Sequence, residues 1–135
     1  MLPLRPPVLL AKMLGSLDLM SNGRLTVGAA SGWLKPEFEA LGVPFEERGA
    51  RTDEAILLLR RCWEDDPIDF QGERSGARLV AMRARPQPGR KIPLWIGGHS
   101  EPAFQRAVAV GDGWHGAFQS PEKTEPMTRR LRRDR

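Results

Sequence analysis

Residues 92–116, I-P-L-W-I-G-G-H-S-E-P-A-F-Q-R-A-V-A-V-G-D-G-W-H-G, leave the chain few choices of fold. Pro93 opens a short apolar run, Leu94-Trp95-Ile96, of the length and kind expected of a buried parallel strand. Gly97-Gly98 ends the run and lets the backbone turn sharply, close enough for a ligand to approach. Ser100 suits an N-cap, Glu101-Pro102 suit a first helical turn, and Ala103, Phe104, Ala107 and Val108 follow helical spacing up to Gly111. Asp112-Gly113-Trp114-His115-Gly116 then starts the next short strand and loop. The unit is strand, Gly-Gly turn, helix, strand. A Gly-Gly turn feeding a helix N-terminus is either a turn shaped by geometry alone or an anion cradle, with phosphate the natural guest.

The remaining chain extends this rhythm. Pro7 starts a helix in which Leu10, Met13, Leu14, Leu17 and Met20 make an apolar stripe, stopped by Ser21-Asn22-Gly23. Residues 24–30 read as a strand followed by Ser31-Gly32-Trp33. A short helix is expected over Glu37–Leu41. A longer one runs from about Glu47 to Trp63, with Ile56, Leu59 and Trp63 inward, Leu57 and Leu58 widening the stripe, and Arg51 and Glu54 able to pair. Residues 68–72 and 79–83 alternate like two strands around a Gly-containing turn, a hairpin excursion over about 68–83. A Pro-rich connector, 85–90, leads to Ile92. Pro126–Arg135 reads as the first turns of a further helix. Strands separated by helices predict a parallel sheet. No G-x-G-x-x-G fingerprint and no P-loop Lys follows either strand.

Composition and charge narrow the partners. The net charge of +4 is mild and owes much to Arg129, Arg130, Arg132, Arg133 and Arg135. No recognition motif or aromatic interleaving accompanies these arginines, so a solvated helix face is expected and nucleic acid is not. No apolar run reaches membrane-spanning length, so no membrane partner is expected. The first seven residues lack the apolar region and cleavage site of a signal peptide. Cys62 is the single cysteine, which rules out an intrachain disulfide and a cysteine metal site and fits a cytoplasmic location. His99 and His115 do not have metal-ligand spacing, and no metal is expected. Each is either a loop histidine without chemistry, a contact to phosphate or substrate, or an acid or base. Asp112 is expected to order its own turn, and Trp63 and Trp95 are expected in the core.

Several segments in order match a known pattern: L-L-A-K at 9–12, L-D-L-M-S-N-G-R-L at 17–25, G-A-A-S-G-W at 28–33, E-F-E-A-L-G-V-P-F-E-E-R-G-A-R-T-D-E at 37–54, P-L-W-I-G-G at 93–98 and G-D-G-W at 111–114. Together they resemble the luciferase-like monooxygenase superfamily, and within it most the deazaflavin (coenzyme F-420)-dependent oxidoreductase branch. The resemblance implies an α/β fold, a partial TIM (β/α)8 barrel. A whole barrel takes about 200–250 residues. The chain would run from the end of the family's third strand, at Leu2–Arg5, through its fourth (24–30), fifth (93–97) and sixth (113–117) strands and the following helix. Residues 1–135 would form a single incomplete barrel domain.

The same resemblance implies an oxidoreductase or monooxygenase using reduced coenzyme F-420 or, alternatively, FMN, with a small-molecule substrate that the sequence does not identify. It implies that Gly97, Gly98 and His99, with Gly116 and Ser120 from the next loop, hold the cofactor phosphate. Ser31, Gly32 and Trp33 would line the ring or substrate pocket. There Trp33 is either an aromatic wall or a core tryptophan, and it replaces the polar residue common at that place. No catalytic residue is assigned. Glu37, Arg48, Arg51 and Glu54 are expected to form a charge network beside this loop. A chain covering part of a barrel is expected to have weak or no activity alone. The alternative is a non-catalytic half-barrel that associates with itself or with a full-length relative through open strand edges.

Overall fold

The computed structural model describes residues 1–134, so Arg135 of the arginine-rich tail lies outside the described residues. In chain order the elements are α1 (Pro7–Met20), β1 (Val27–Ala29), α2 (Lys35–Ala40), a single 3-10 turn (Phe45–Glu47), α3 (Arg48–Glu64), β2 (Ile68–Gln71), β3 (Arg78–Met82), β4 (Leu94–Gly97), α4 (Glu101–Ala109), β5 (Gly113–His115) and α5 (Pro121–Asp134). They divide into two compact units. One comprises Met1–Leu25 and Ser31–Ile92, and the other comprises Thr26–Ala30 and the described residues from Pro93 onward.

The second unit is α/β, as the sequence predicts. Its sheet has the order β1-β4-β5 with both pairings parallel. Gly28 stands opposite Trp95, Trp95 opposite Gly113, and Ile96 opposite Trp114. The core forms where Val27, Ala29, Leu94 and Ile96 are buried along with Ala103, Phe104 and Ala107 of α4. The alternation is strict along β4, so Trp95 points to the other face and is 44% exposed rather than buried in the core. Strand pairing is shorter than the sequence pattern, because only residues with a partner in register join the ladder.

The first unit is built on α1 packed against α3, with the β2–β3 antiparallel hairpin beside them. Pro7 occupies the first turn of α1, where its missing N–H costs nothing. The helix stops at Asn22 and Gly23, both at positive φ, where Gly23 N–H donates to Asp18 O. The inner face of α1 corrects the expectation. Ala11, Gly15 and Asp18 are buried, while Met13, Leu17 and Met20 are exposed. Small residues face inward because the neighbours come close. The Trp63 indole N–H donates to Ala11 O at 3.0 Å, and a Cβ on Gly15 would stand 2.8 Å from Pro86 O.

In α3 the inner face is Thr52, Ala55, Ile56, Leu58, Leu59, Cys62 and Trp63; Leu57 faces out. Arg51 pairs with Glu47 at 3.0 Å, not with Glu54. Glu54 instead accepts from the backbone N–H groups of Arg74 and Ser75, both at 2.8 Å, and pins the hairpin loop. Arg48 donates to Phe45 O and stacks over the Phe45 ring, so the four charged residues do not form one network. Leu2–Arg5 forms a turn closed by Arg5 N–H on Leu2 O, where a strand end was expected; a strand needs a partner to ladder with, and Pro3 brings no donor.

Candidate functional site

The Gly97-Gly98 turn sits at the C-terminal end of β4, the central strand of its sheet. Gly98 has φ +128, and a Cβ there would stand 2.9 Å from the Ala103 Cβ, so glycine is required on both counts. Gly97 has room: a Cβ would make ordinary contact with Ala30 at 3.6 Å. Gly98 N–H donates to His115 O at 3.4 Å, and Gly98 O accepts the Trp114 indole N–H at 2.8 Å. Asp112 does more than order its own turn. Its N–H donates to Leu94 O at 2.7 Å and its carboxylate accepts Leu94 N–H at 2.9 Å, a reciprocal pair that fixes where β5 begins beside β4.

Two residues beyond the glycines, Ser100 occupies the N-cap of α4 but makes no side-chain cap. The first-turn N–H groups of a helix have no intrahelical partner, so this end is open to an acceptor. Glu101 in that turn is held elsewhere. Arg130 grips both its carboxylate oxygens, one at 2.7 Å, and lies over the Phe104 ring at 4.2 Å. The Arg130 hydrogen bonds hold the Glu101 carboxyl below the ordinary range. The carboxylate nearest the helix end is therefore paired with a guanidinium.

The loop after β5 meets the same turn. His99 Nε2 lies 2.7 Å from Ala117 O and serves as the donor there, which sets the tautomer. The Trp114 ring stands edge-on to His99, with centroids 6.3 Å apart, and lies so close over Gly116 that a Cβ there would run into it. Gly98, His99 and Gly116 are thus gathered around one indole. Ser120 ends the loop at the start of the next helix. It caps α5, its carbonyl accepting from Lys123 and Thr124 and its hydroxyl engaged by Glu122, whose carboxyl that bond lowers. His115 is exposed.

Trp114 is not among the residues that the sequence marks for this turn. Its signal was a Trp followed two residues later by Gly, the spacing that lets a ring fold back over the chain. A glycine turn leading into a helix end with no side-chain cap is an arrangement that can receive a small anion such as a phosphate.

Ser31, Gly32 and Trp33 belong to the other unit. Gly32, at φ +86, lies against the Phe38 ring. Trp33 is 78% exposed, which removes the core alternative. Nearby in sequence, the buried Oε2 of Glu37 has no hydrogen-bond partner among the described residues. Among the described residues no group of three His, Cys, Asp or Glu is placed to hold a metal ion, and no helix is long and apolar enough to cross a membrane.

Comparison with known proteins shows the family. An uncharacterised protein of Mycobacterium tuberculosis is 36% identical over 132 residues, covering 98% of this chain and 45% of its own length. The FMNH2-dependent dimethylsulfone monooxygenase of Pseudomonas fluorescens is 35% identical over 112 residues, covering 81% of this chain and 30% of its own. The F420-dependent glucose-6-phosphate dehydrogenase of Amycolatopsis mediterranei is 31% identical over 111 residues, covering 80% and 33%. The chain therefore spans less than half the length of these relatives. In structure it matches the monooxygenase RslO1 of Streptomyces bottropensis with a TM-score of 0.82 at 27% identity, over 98% of this chain and 41% of that one. The α/β elements correspond to part of that larger fold. The model of the luciferase-like monooxygenase family matches residues 1–135, and the chain belongs to that family.

Proposed function

We propose that the chain supplies the cofactor-phosphate cradle of an oxidoreductase that uses reduced coenzyme F-420 or, alternatively, FMN. Gly97, Gly98 and His99 form one wall and the loop from Gly116 to Ser120 the other. The observation that carries the reading is Gly98: positive φ and a close Ala103 exclude any side chain at the point where the chain enters the uncapped α4. When bound, the reduced ring supplies a hydride or activates O₂. The share of the turn is to bind the phosphate; Trp33, which belongs to the other unit, is the candidate aromatic surface for ring or substrate. A cytoplasmic small-molecule enzyme is the setting that fits. Relatives named for either cofactor match the chain at 31–35% identity, so the cofactor has to be decided by binding.

The test is a fluorescence titration of the purified chain with coenzyme F-420 and, separately, with FMN. Saturable binding of one, lost in Gly98→Val while Gly97→Ala retains it, supports the cradle and names the cofactor. A folded sample that binds neither refutes it. Catalysis by this chain alone is expected to be weak or absent, and turnover of either reduced cofactor by the pure chain would contradict that.

A second reading rests on a separate observation. Leu9, Met13, Leu17 and Met20 leave one side of α1 apolar and exposed, which favours association with a second copy or a full-length relative. A concentration-independent monomer in sedimentation would exclude the self-associating form.

A further inference from the structure

We propose that Trp114 is the positioning residue of the cradle: its indole N–H sets which way the Gly98–His99 peptide faces, and its ring sets the course of the 116–120 loop. The proposal rests on the phosphate-cradle reading above and assigns a role to a residue outside the five named for that site. In a trans peptide the C=O and the next N–H point in opposite directions. The Trp114 indole N–H holds Gly98 O at 2.8 Å, so His99 N–H is turned away from the indole.

Gly98 can flip this peptide more easily than any other residue, because φ +128 places it where only glycine moves freely. A flip would replace an N–H by a carbonyl oxygen and would repel an anion at the mouth of α4. The indole hydrogen bond is the contact that opposes the flip.

The ring reaches the second wall as well. It lies over Gly116 and stands edge-on to His99, whose Nε2 hydrogen bonds Ala117 O at 2.7 Å. One side chain from β5 therefore touches both loops. Trp114→Phe keeps most of the ring and removes the N–H. Trp114→Leu removes both the N–H and the ring.

The readout is the preference for a phosphate-bearing ligand over its phosphate-free core, measured on the full chain. The pairs are FMN against riboflavin, and coenzyme F-420 against its deazaflavin core lacking the phosphodiester. A structural role would weaken both members of a pair alike. The expected result is that Trp114→Phe and Trp114→Leu weaken the phosphate-bearing ligand about tenfold to a hundredfold, the worth of a charge-assisted hydrogen bond, and leave the core ligand within about twofold.

Equal losses for both ligands, or an unchanged preference in either folded variant, overturn the role of Trp114 while leaving the cradle standing. A wild-type chain with no preference for the phosphate-bearing ligand, or with no saturable binding, overturns the cradle and this proposal with it. Circular dichroism melts of both variants establish which samples are folded, and either folded variant decides the question.

Discussion

At the scale of residues, backbone freedom and local pairing decide which positions tolerate change. Gly97 and Gly98 are adjacent and identical in sequence yet differ in what they demand. Gly98→Ala forces a Cβ to 2.9 Å from Ala103 at φ +128, and should cost about 1–3 kcal/mol. Gly97→Ala meets only ordinary contact at 3.6 Å and should stay within about 0.5 kcal/mol. Urea unfolding of the two variants measures the difference. Glu54 gives a pH signature. Burial raises its pKa, but hydrogen bonds from the Ser75 hydroxyl and from backbone N–H groups of the 72–75 loop outweigh it and hold the carboxyl below its usual value. A folded pKa below the unfolded one means stability present above about pH 4.3 and lost as pH falls through the folded value. In Glu54→Gln that part of the acid-side loss should disappear, seen as a shallower fall in melting temperature below about pH 4.3.

At the scale of elements, periodicity told where helices and strands lie but not always which side faces in. The order of elements, the parallel sheet, the 68–82 hairpin and the Gly-Gly turn were legible because proline, glycine and alternation punctuate the chain locally. The inner face of α1 was not. Hydrophobic spacing pointed to Leu10, Met13, Leu14, Leu17 and Met20, whereas the close approach of Trp63 and Pro86 selects Ala11 and Gly15. Size, not apolarity, chose the face, and size matters only once the neighbour is known. The glycines of the proposed cradle were legible as a turn for the same local reason. The part played by Trp114 was not, because it depends on a hydrogen bond to a residue sixteen positions away.

A consequence for α1 can be measured. Leu17→Gln and Met20→Gln should each change stability by less than about 0.5 kcal/mol. Gly15→Ala gains about 1 kcal/mol of helix propensity but overlaps the Pro86 carbonyl. Overpacking of about 1–3 kcal/mol should win, giving net destabilisation in a urea titration.

At the scale of the whole molecule, burial of charge and the placement of indoles matter most. Asp18 is 1% exposed and is matched by Arg90 at 2.7 Å, which also donates to Leu25 O at 2.7 Å. The pair joins the end of α1 to the connector that precedes β4. Arg90→Ala strands the buried carboxylate and should cost about 3 kcal/mol, read from the shift of the urea midpoint. The four tryptophans are also distributed in a useful way. Trp63 is buried and hydrogen-bonded in the unit that contains α1 and α3, while Trp114 belongs to the unit that contains the parallel sheet. The chain thus carries a native optical label in each of its two parts. Proteins retaining only Trp63 or only Trp114, the other indoles replaced by Phe, would report two separate emission curves in denaturant. Coincident midpoints would make the 134 described residues one cooperative block, and separated midpoints would make them two.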